Sequence, residues 1–221
     1  MLSKTKANDI ISYIRKCLVI LPGVLGIGFG IECIVLAGWG CDPITNFDVG
    51  ISMHFPVSVG MADMVLGCIC FVAAFLFRRE WLNLGSFLFC FGTGLSIDRF
   101  HQLLGAWGEM ITAAGGIPIR IGFLIVGVFS ISLALAYYIP INFGYAHWDI
   151  MAMFVAEAVK KSYGTGLTIV YIFFFASSLI LGADFGIGTV AATLVPGWLA
   201  DRILPRTKRF SYFVAGIREE K

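Results

Sequence analysis

The residues of this sequence best suited to do chemistry are carboxylates in or beside apolar runs. Glu32 lies inside Gly28-Phe29-Gly30-Ile31-Glu32-Cys33. An ionised carboxylate in hydrocarbon costs about 3 kcal/mol on insertion scales, so such a residue faces a protein interior or water. It either couples protons or binds a cation, or it stays protonated and hydrogen-bonded to a neighbouring helix. Asp42 opens Asp42-Pro43-Ile44-Thr45-Asn46-Phe47, where Asp suits an N-cap and Pro the first helical position. Beyond it Ile44, Phe47, Ile51 and Phe55 share one face of a short helix, with Thr45, Asp48 and Ser52 opposite and Asn46 beside them. That helix either lies flat at the membrane surface or re-enters the bilayer with its polar face on a cavity. Trp148-Asp149 opens a second such segment. Its Trp serves either as a headgroup anchor or as a stacking surface. Glu32, Asp42, Asn46, Trp148 and Asp149 are therefore the expected substrate-binding residues.

Asp98-Arg99 and Asp201-Arg202 each close a long apolar run. Adjacent residues on a helix do not face each other. Each Arg either snorkels to its interface while its Asp caps another helix, or the pairs act as gates. Glu32, Asp98, Arg99, Asp201 and Arg202 are thus the candidates for gating or coupling. Other chemistry has no support. There is no phosphate loop, HExxH, GxSxG or Cys/His cluster. His54, His101 and His147 are dispersed, and most of the six cysteines sit in apolar runs where Cys acts as a small hydrophobe. No enzyme, metal or cofactor is expected.

The elements that must position these groups follow from composition. Hydrophobic residues make up 58% and charged residues 14% of 221, with a mean hydropathy of +0.87. These values place the chain in a bilayer. A net charge of +2 gives no sign of a nucleic-acid partner. No signal-peptide pattern is apparent, so the first apolar run is expected to stay as a span. Six spans are predicted, at about 17–39, 58–77, 82–104, 120–140, 164–182 and 187–204, with short helices at about 43–55 and 147–160. With the N-terminus inside, Lys4, Lys6, Arg15, Lys16, Arg78, Arg79, Lys160, Lys161 and the basic residues from Arg202 to Lys221 all fall on the cytoplasmic side. Only Arg99 and Arg120 fall outside. Gly23, Gly26, Gly28 and Gly30 give the first span a smooth face suited to close helix packing, and Pro22 is a kink site.

The sequence also repeats. Gly40, Ser58 and Gly60 match Gly144, Ser162 and Gly164, each 104 residues on. Gly85, Gly94, Asp98 and Arg99 match Gly188, Gly197, Asp201 and Arg202, each 103 on. Glu32 falls opposite Ala136, so it is not a duplicated feature. Three spans per unit force the second unit to insert upside down, an arrangement common among transporters. Gly92-Thr93-Gly94 and Pro196-Gly197 interrupt corresponding spans, which also points to a site between the halves.

Gly40-Cys-Asp42-Pro43-Ile-Thr45, Gly50-Ile51-Ser52 and Val57-Ser58-Val59-Gly60 together resemble the YczE/YyaS/YitT group of bacterial integral membrane proteins. That group shows a Leu-Gly-x-x-Pro-Trp-Asp stretch, an amphipathic segment, and Ser-x-Gly-Thr opening the next span. Gly144-Tyr145-Ala146-His147-Trp148-Asp149 and Tyr163-Gly164-Thr165 carry the same pattern in the second unit. Ile44-Thr45 departs from it in place of Trp-Asp, and His147 in place of Pro. The resemblance covers about residues 15–205 and implies a membrane protein of the bacterial plasma (inner) membrane, without implying an activity.

The expected fold is all-α integral membrane: six transmembrane helices as two inverted three-helix repeats, each with a short amphipathic or re-entrant helix after its first span. It forms a single membrane domain, with repeat one at about 15–104, repeat two at about 120–204, and a cytoplasmic tail at 205–221. Both termini are expected in the cytoplasm. The expected function is secondary transport of a small solute. The alternatives are a substrate-binding subunit of an energy-coupling-factor-like complex and a non-transporting regulator or scaffold. Lipid, a small-molecule solute and a homodimer or partner membrane subunit are the expected partners.

Overall fold

The computed structural model describes residues 2–217, with side chains from residue 11. The predicted cytoplasmic positions Arg218 and Lys221, and the side chains of Lys4 and Lys6, lie outside the described residues. The order is α1 (Leu2–Ala37), α2 (Pro43–His54), α3 (Val59–Phe77), α4 (Leu84–Tyr138), α5 (His147–Val159), α6 (Tyr163–Ile180) and α7 (Ile187–Ala215). There is no strand among the described residues.

Four helices are long and apolar enough to cross a membrane, over Ile11–Ala37, Val59–Phe77, Leu84–Ile141 and Tyr163–Ile180. Many large apolar side chains on their outer faces are exposed, including Leu76, Ile125, Ile172 and Ile180, as lipid-facing surface requires. Two boundaries differ from the sequence reading. The predicted spans at 82–104 and 120–140 lie in one helix, α4, broken at Gly116 (φ 58°, ψ −147°). No span was expected between them; helix fills most of that stretch, and the chain turns at one glycine whose positive φ other residues rarely adopt. Residues 205–215, expected to begin a tail, continue α7. Thr207 and Ser211 donate to the carbonyls of Ala136 and Tyr137, and Ala215 is buried.

The centre of the fold is α1 against the second part of α4. The two run antiparallel: Gly23 meets Tyr138, Gly30 meets Ile131, and Gly127 meets Ile34. Ser130 donates to the Gly26 carbonyl at 2.8 Å. A Cβ on any of Gly23, Gly28 or Gly30 would crowd α4. The glycine face of the first span is therefore consumed inside the chain and is not open to a partner subunit. Val24, Ile27, Ile31, Phe89, Ala134 and Tyr138 fill the core around it.

The beginnings of α4 and α7 make matching contacts. Gly85 lies against the Phe143 carbonyl and Gly188 against that of Trp39, so tightly that a Cβ on either would collide. Ser86 accepts from the Tyr145 N–H, and Thr189 accepts from Asn46 Nδ2. Each of these helices thus starts on the loop that precedes the short helix of the other half.

Candidate functional site

Two turns place the short helices. Gly38 and Gly40 take φ values of 66° and 78°, and Gly144 takes 111°. Asp42 then caps α2, with Oδ1 accepting from the Ile44 and Thr45 N–H groups at 3.2 Å each. Pro43 follows at the first helical position. At α5 the N-cap position holds Ala146, whose N–H donates to Asp149 Oδ2 at 3.3 Å. Asp149 Oδ1 accepts from the Tyr163 hydroxyl at 2.6 Å, tying α5 to α6.

The polar face of α2 points into the protein. Thr45, Asn46 and Asp48 are buried, while Met53 and Phe55 are exposed. A helix lying flat on a membrane surface would present its polar face to water. Here that face is packed against protein, with α2 against α3 and α6. Asn46 stitches it in place. Its Oδ1 accepts from the Cys41 N–H at 2.6 Å, and its Nδ2 donates to the Asp184 carbonyl at 3.0 Å and Thr189 Oγ1 at 3.3 Å.

Between these helices lies a cavity of about 350 Å³. Asp42, Thr45 and Asp63 line it from the first half, and Trp148, Asp149, Tyr163, Tyr171 and Thr193 from the second. Ile27, Ile31, Ile44, Leu135 and Leu167 complete an apolar remainder. A second cavity of about 350 Å³ shares Trp148, Asp149 and Tyr163. Trp148 therefore forms cavity wall, and His147 packs edge-on to its ring at 4.8 Å.

Behind this wall sits a polar group with open valences. Asp63 Oδ1 lies 3.2 Å from His147 Nε2, both side chains being buried, without the geometry of a hydrogen bond. Asp63 Oδ2, Asp48 Oδ1 and both His147 ring nitrogens have no hydrogen-bond partner. Each buried polar atom left unpaired costs about 1–3 kcal/mol, so such atoms call for an explanation. Among the described residues, no group of three or more His, Cys, Asp or Glu is arranged to hold a metal ion. The six cysteines are free thiols.

Of the residues singled out from sequence, Asp42, Trp148 and Asp149 line one cavity. Asn46 lies behind it, fastening α2 to the start of α7. Glu32 is away from the cavity: it is 1% exposed and its Oε1 lies 3.1 Å from His101 Nδ1 on α4. Asp98 accepts from Ser58 Oγ at 2.6 Å and from the Gly60 N–H at 3.0 Å, so it fastens the start of α3. Arg99 donates to Gln102 at 3.1 Å. Asp201 is exposed, and the Arg202 guanidinium lies over the Trp198 ring at 3.6 Å. Sequence reasoning missed Asp63, Tyr171 and Thr193. Asp63 had a signal of its own, being the sole charged residue of the apolar run Val59–Phe77.

Two relatives from Bacillus subtilis (strain 168) are similar over most of their length. The uncharacterized protein YyaS is 25% identical over 191 residues, covering 85% of this chain and 91% of that protein. The uncharacterized membrane protein YczE is 24% identical over 200 residues, covering 87% of each. No solved structure matches the chain. A family of unknown function, DUF6198, matches residues 14–205, which takes in every residue that lines the cavity; the chain belongs to that family.

Proposed function

We propose that this protein is a six-span secondary transporter of a small solute, built as two inverted repeats with the solute site between them. In this reading α4 supplies two spans on either side of Gly116, and α7 is the sixth. The inverted relation is supported by contacts that exchange when 104 is added to one residue and subtracted from the other: Gly23–Tyr138 becomes Gly127–Ile34. Gly85–Phe143 and Gly188–Trp39 are related in the same way, within the one-residue gap between registers. The buried polar face of α2 favours a re-entrant placement over an interfacial one.

One observation carries transport over mere binding. Corresponding helix seams in the two halves are in opposite states. Between α3 and α4, Gly60 and Gly94 are in backbone contact and Asp98 bonds Ser58 and Gly60. At the matching seam between α6 and α7, a Cβ on Gly164 or Gly197 would meet nothing within 4 Å. The cavity extends into that gap, between Tyr163 and Leu167 on one side and Pro196 and Gly197 on the other. An inverted-repeat transporter alternates by exchanging the conformations of its halves. With the N-terminus cytoplasmic, the closed seam faces outward and the parted one inward. Asp98 and Asp201 then act as the two latches, one engaged and one released, with Arg99 and Arg202 holding their helix ends at the interfaces.

The test is uptake by the purified protein alone in liposomes. Solute movement without any other subunit supports the proposal; strict dependence on a co-purifying ATPase complex refutes it, and so does the absence of movement for every solute that binds. Glu32 with His101 is the proposed proton-coupling pair. Glu32→Gln should flatten the pH profile of uptake, and an unchanged profile removes Glu32 from that role.

A further inference from the structure

We propose that the cavity between the halves recognises a small organic ammonium ion. The inference rests on that cavity being the solute site, and it names the chemical class of the solute. Asp42, Asp63 and Asp149 line the cavity, and no Lys or Arg is among its lining residues. His147 stands beside Asp63, at 3.2 Å, and offsets at most one of the carboxylates.

The carboxylates differ in how they are satisfied. Asp42 accepts two backbone N–H groups, and Asp149 accepts the Tyr163 hydroxyl and the Ala146 N–H. Asp63 is 4% exposed and lines the cavity; its Oδ2 is occluded and has no hydrogen-bond partner, and its Oδ1 lies 3.2 Å from His147 Nε2. A carboxylate removed from water needs a cation or a proton, because unpaired buried charge is strongly disfavoured. His147 stands beside Asp63 without hydrogen-bonding to it, so Asp63 is the carboxylate that a bound cation would complete.

The rest of the wall decides what kind of cation. Trp148, Tyr163 and Tyr171 supply aromatic surface, which attracts ammonium groups through the ring quadrupole. Ile27, Ile31 and Ile44 supply apolar surface that would cover alkyl substituents. An inorganic cation such as calcium needs six or more oxygen ligands at short range, and this largely apolar wall does not provide them. An anion would meet three carboxylates.

The test is calorimetric titration of the purified protein in detergent. The probes are choline, tetraethylammonium and putrescine, set against 3,3-dimethylbutan-1-ol, the uncharged isostere of choline, and against sodium chloride alone. At least one ammonium probe should bind saturably and the isostere should not. Asp63→Asn should weaken that binding by about tenfold or more, as loss of a buried charged partner does. Asp149→Asn tests the same charge requirement should Asp63→Asn fail to yield a monodisperse protein. Equal binding of the isostere, binding of sodium only, or no binding by any ammonium probe overturns the proposal. Ammonium binding without uptake in liposomes overturns the transporter reading and leaves this one standing. Uptake of a neutral or anionic solute, with no ammonium binding, does the reverse.

Discussion

The seam between α3 and α4 and the seam between α6 and α7 are lined by corresponding residues, yet one is shut and the other parted. Ser58, Gly60, Gly94 and Asp98 line the first; Ser162, Gly164, Gly197 and Asp201 stand at the positions 104 or 103 residues on, in α6, α7 and the cap of α6. Both serines do the same local work. Ser58 accepts from the Met61 N–H and Ser162 from the Thr165 N–H, each capping its helix. Only Ser58 also donates across the seam, to Asp98. Local chemistry builds each helix start in the same way, while the state of the seam is decided by how neighbouring helices are packed. The same small residues that permit backbone contact in one half leave an opening in the other.

The two seams should respond unequally to substitution. Gly60→Leu places a side chain against the Gly94 backbone, which has nowhere to move without parting α3 from α4. Overpacking of this kind costs about 1–3 kcal/mol or more. A clear fall in melting temperature and new labelling of a cysteine introduced at the outer mouth are expected. Gly164→Leu meets open space, so the melting temperature should hold while uptake in liposomes is lost, because that seam could no longer close. Equal thermal effects of the two substitutions would remove the distinction between the seams.

A smaller effect is expected at the latches. Asp98→Ala removes the two hydrogen bonds that its carboxyl accepts, worth about 1 kcal/mol each. It should shift labelling toward an outward-open state. Asp201→Ala should leave labelling of the resting protein unchanged and slow turnover. The least effect is expected outside both seams. Arg78 joins the end of α3 to Glu157 of α5 at 2.8 Å, with both side chains exposed. Exposed pairs contribute little, so Arg78→Ala should change neither seam's labelling nor the melting temperature measurably.

Much of the local structure was legible in the residues. Asp42-Pro43 announces the capped start of α2, and Ser58 and Ser162 stand at the starts of α3 and α6. What the sequence withheld was orientation. Periodicity says which side chains share a face of α2, but not whether that face meets water or protein, and in a membrane the second choice is available to polar groups. Trp148 is amphipathic enough for a headgroup or a cavity wall, and only packing decides between them. Asp63 was hidden for the opposite reason: one carboxylate hardly changes the average of so apolar a run. Glu32 was visible as a carboxyl inside an apolar run, but its partner His101 lies 69 residues away, and nothing local connects them.

The antiparallel crossing of α1 and the second part of α4 carries a consequence for ancestry. Ser130 bonds the carbonyl of Gly26, the residue that stands 104 positions before it. A contact between a residue and its own counterpart is what an isologous interface makes at its two-fold axis. A chain of half this length, inserted in both orientations, would already own that surface and could pair with a second copy of itself. In the two-repeat reading, fusing the copies would have freed each half to change alone. Glu32 opposite Ala136, and Asp63 opposite Leu167, would then be changes that a symmetric pair of identical chains could not have made on one side only.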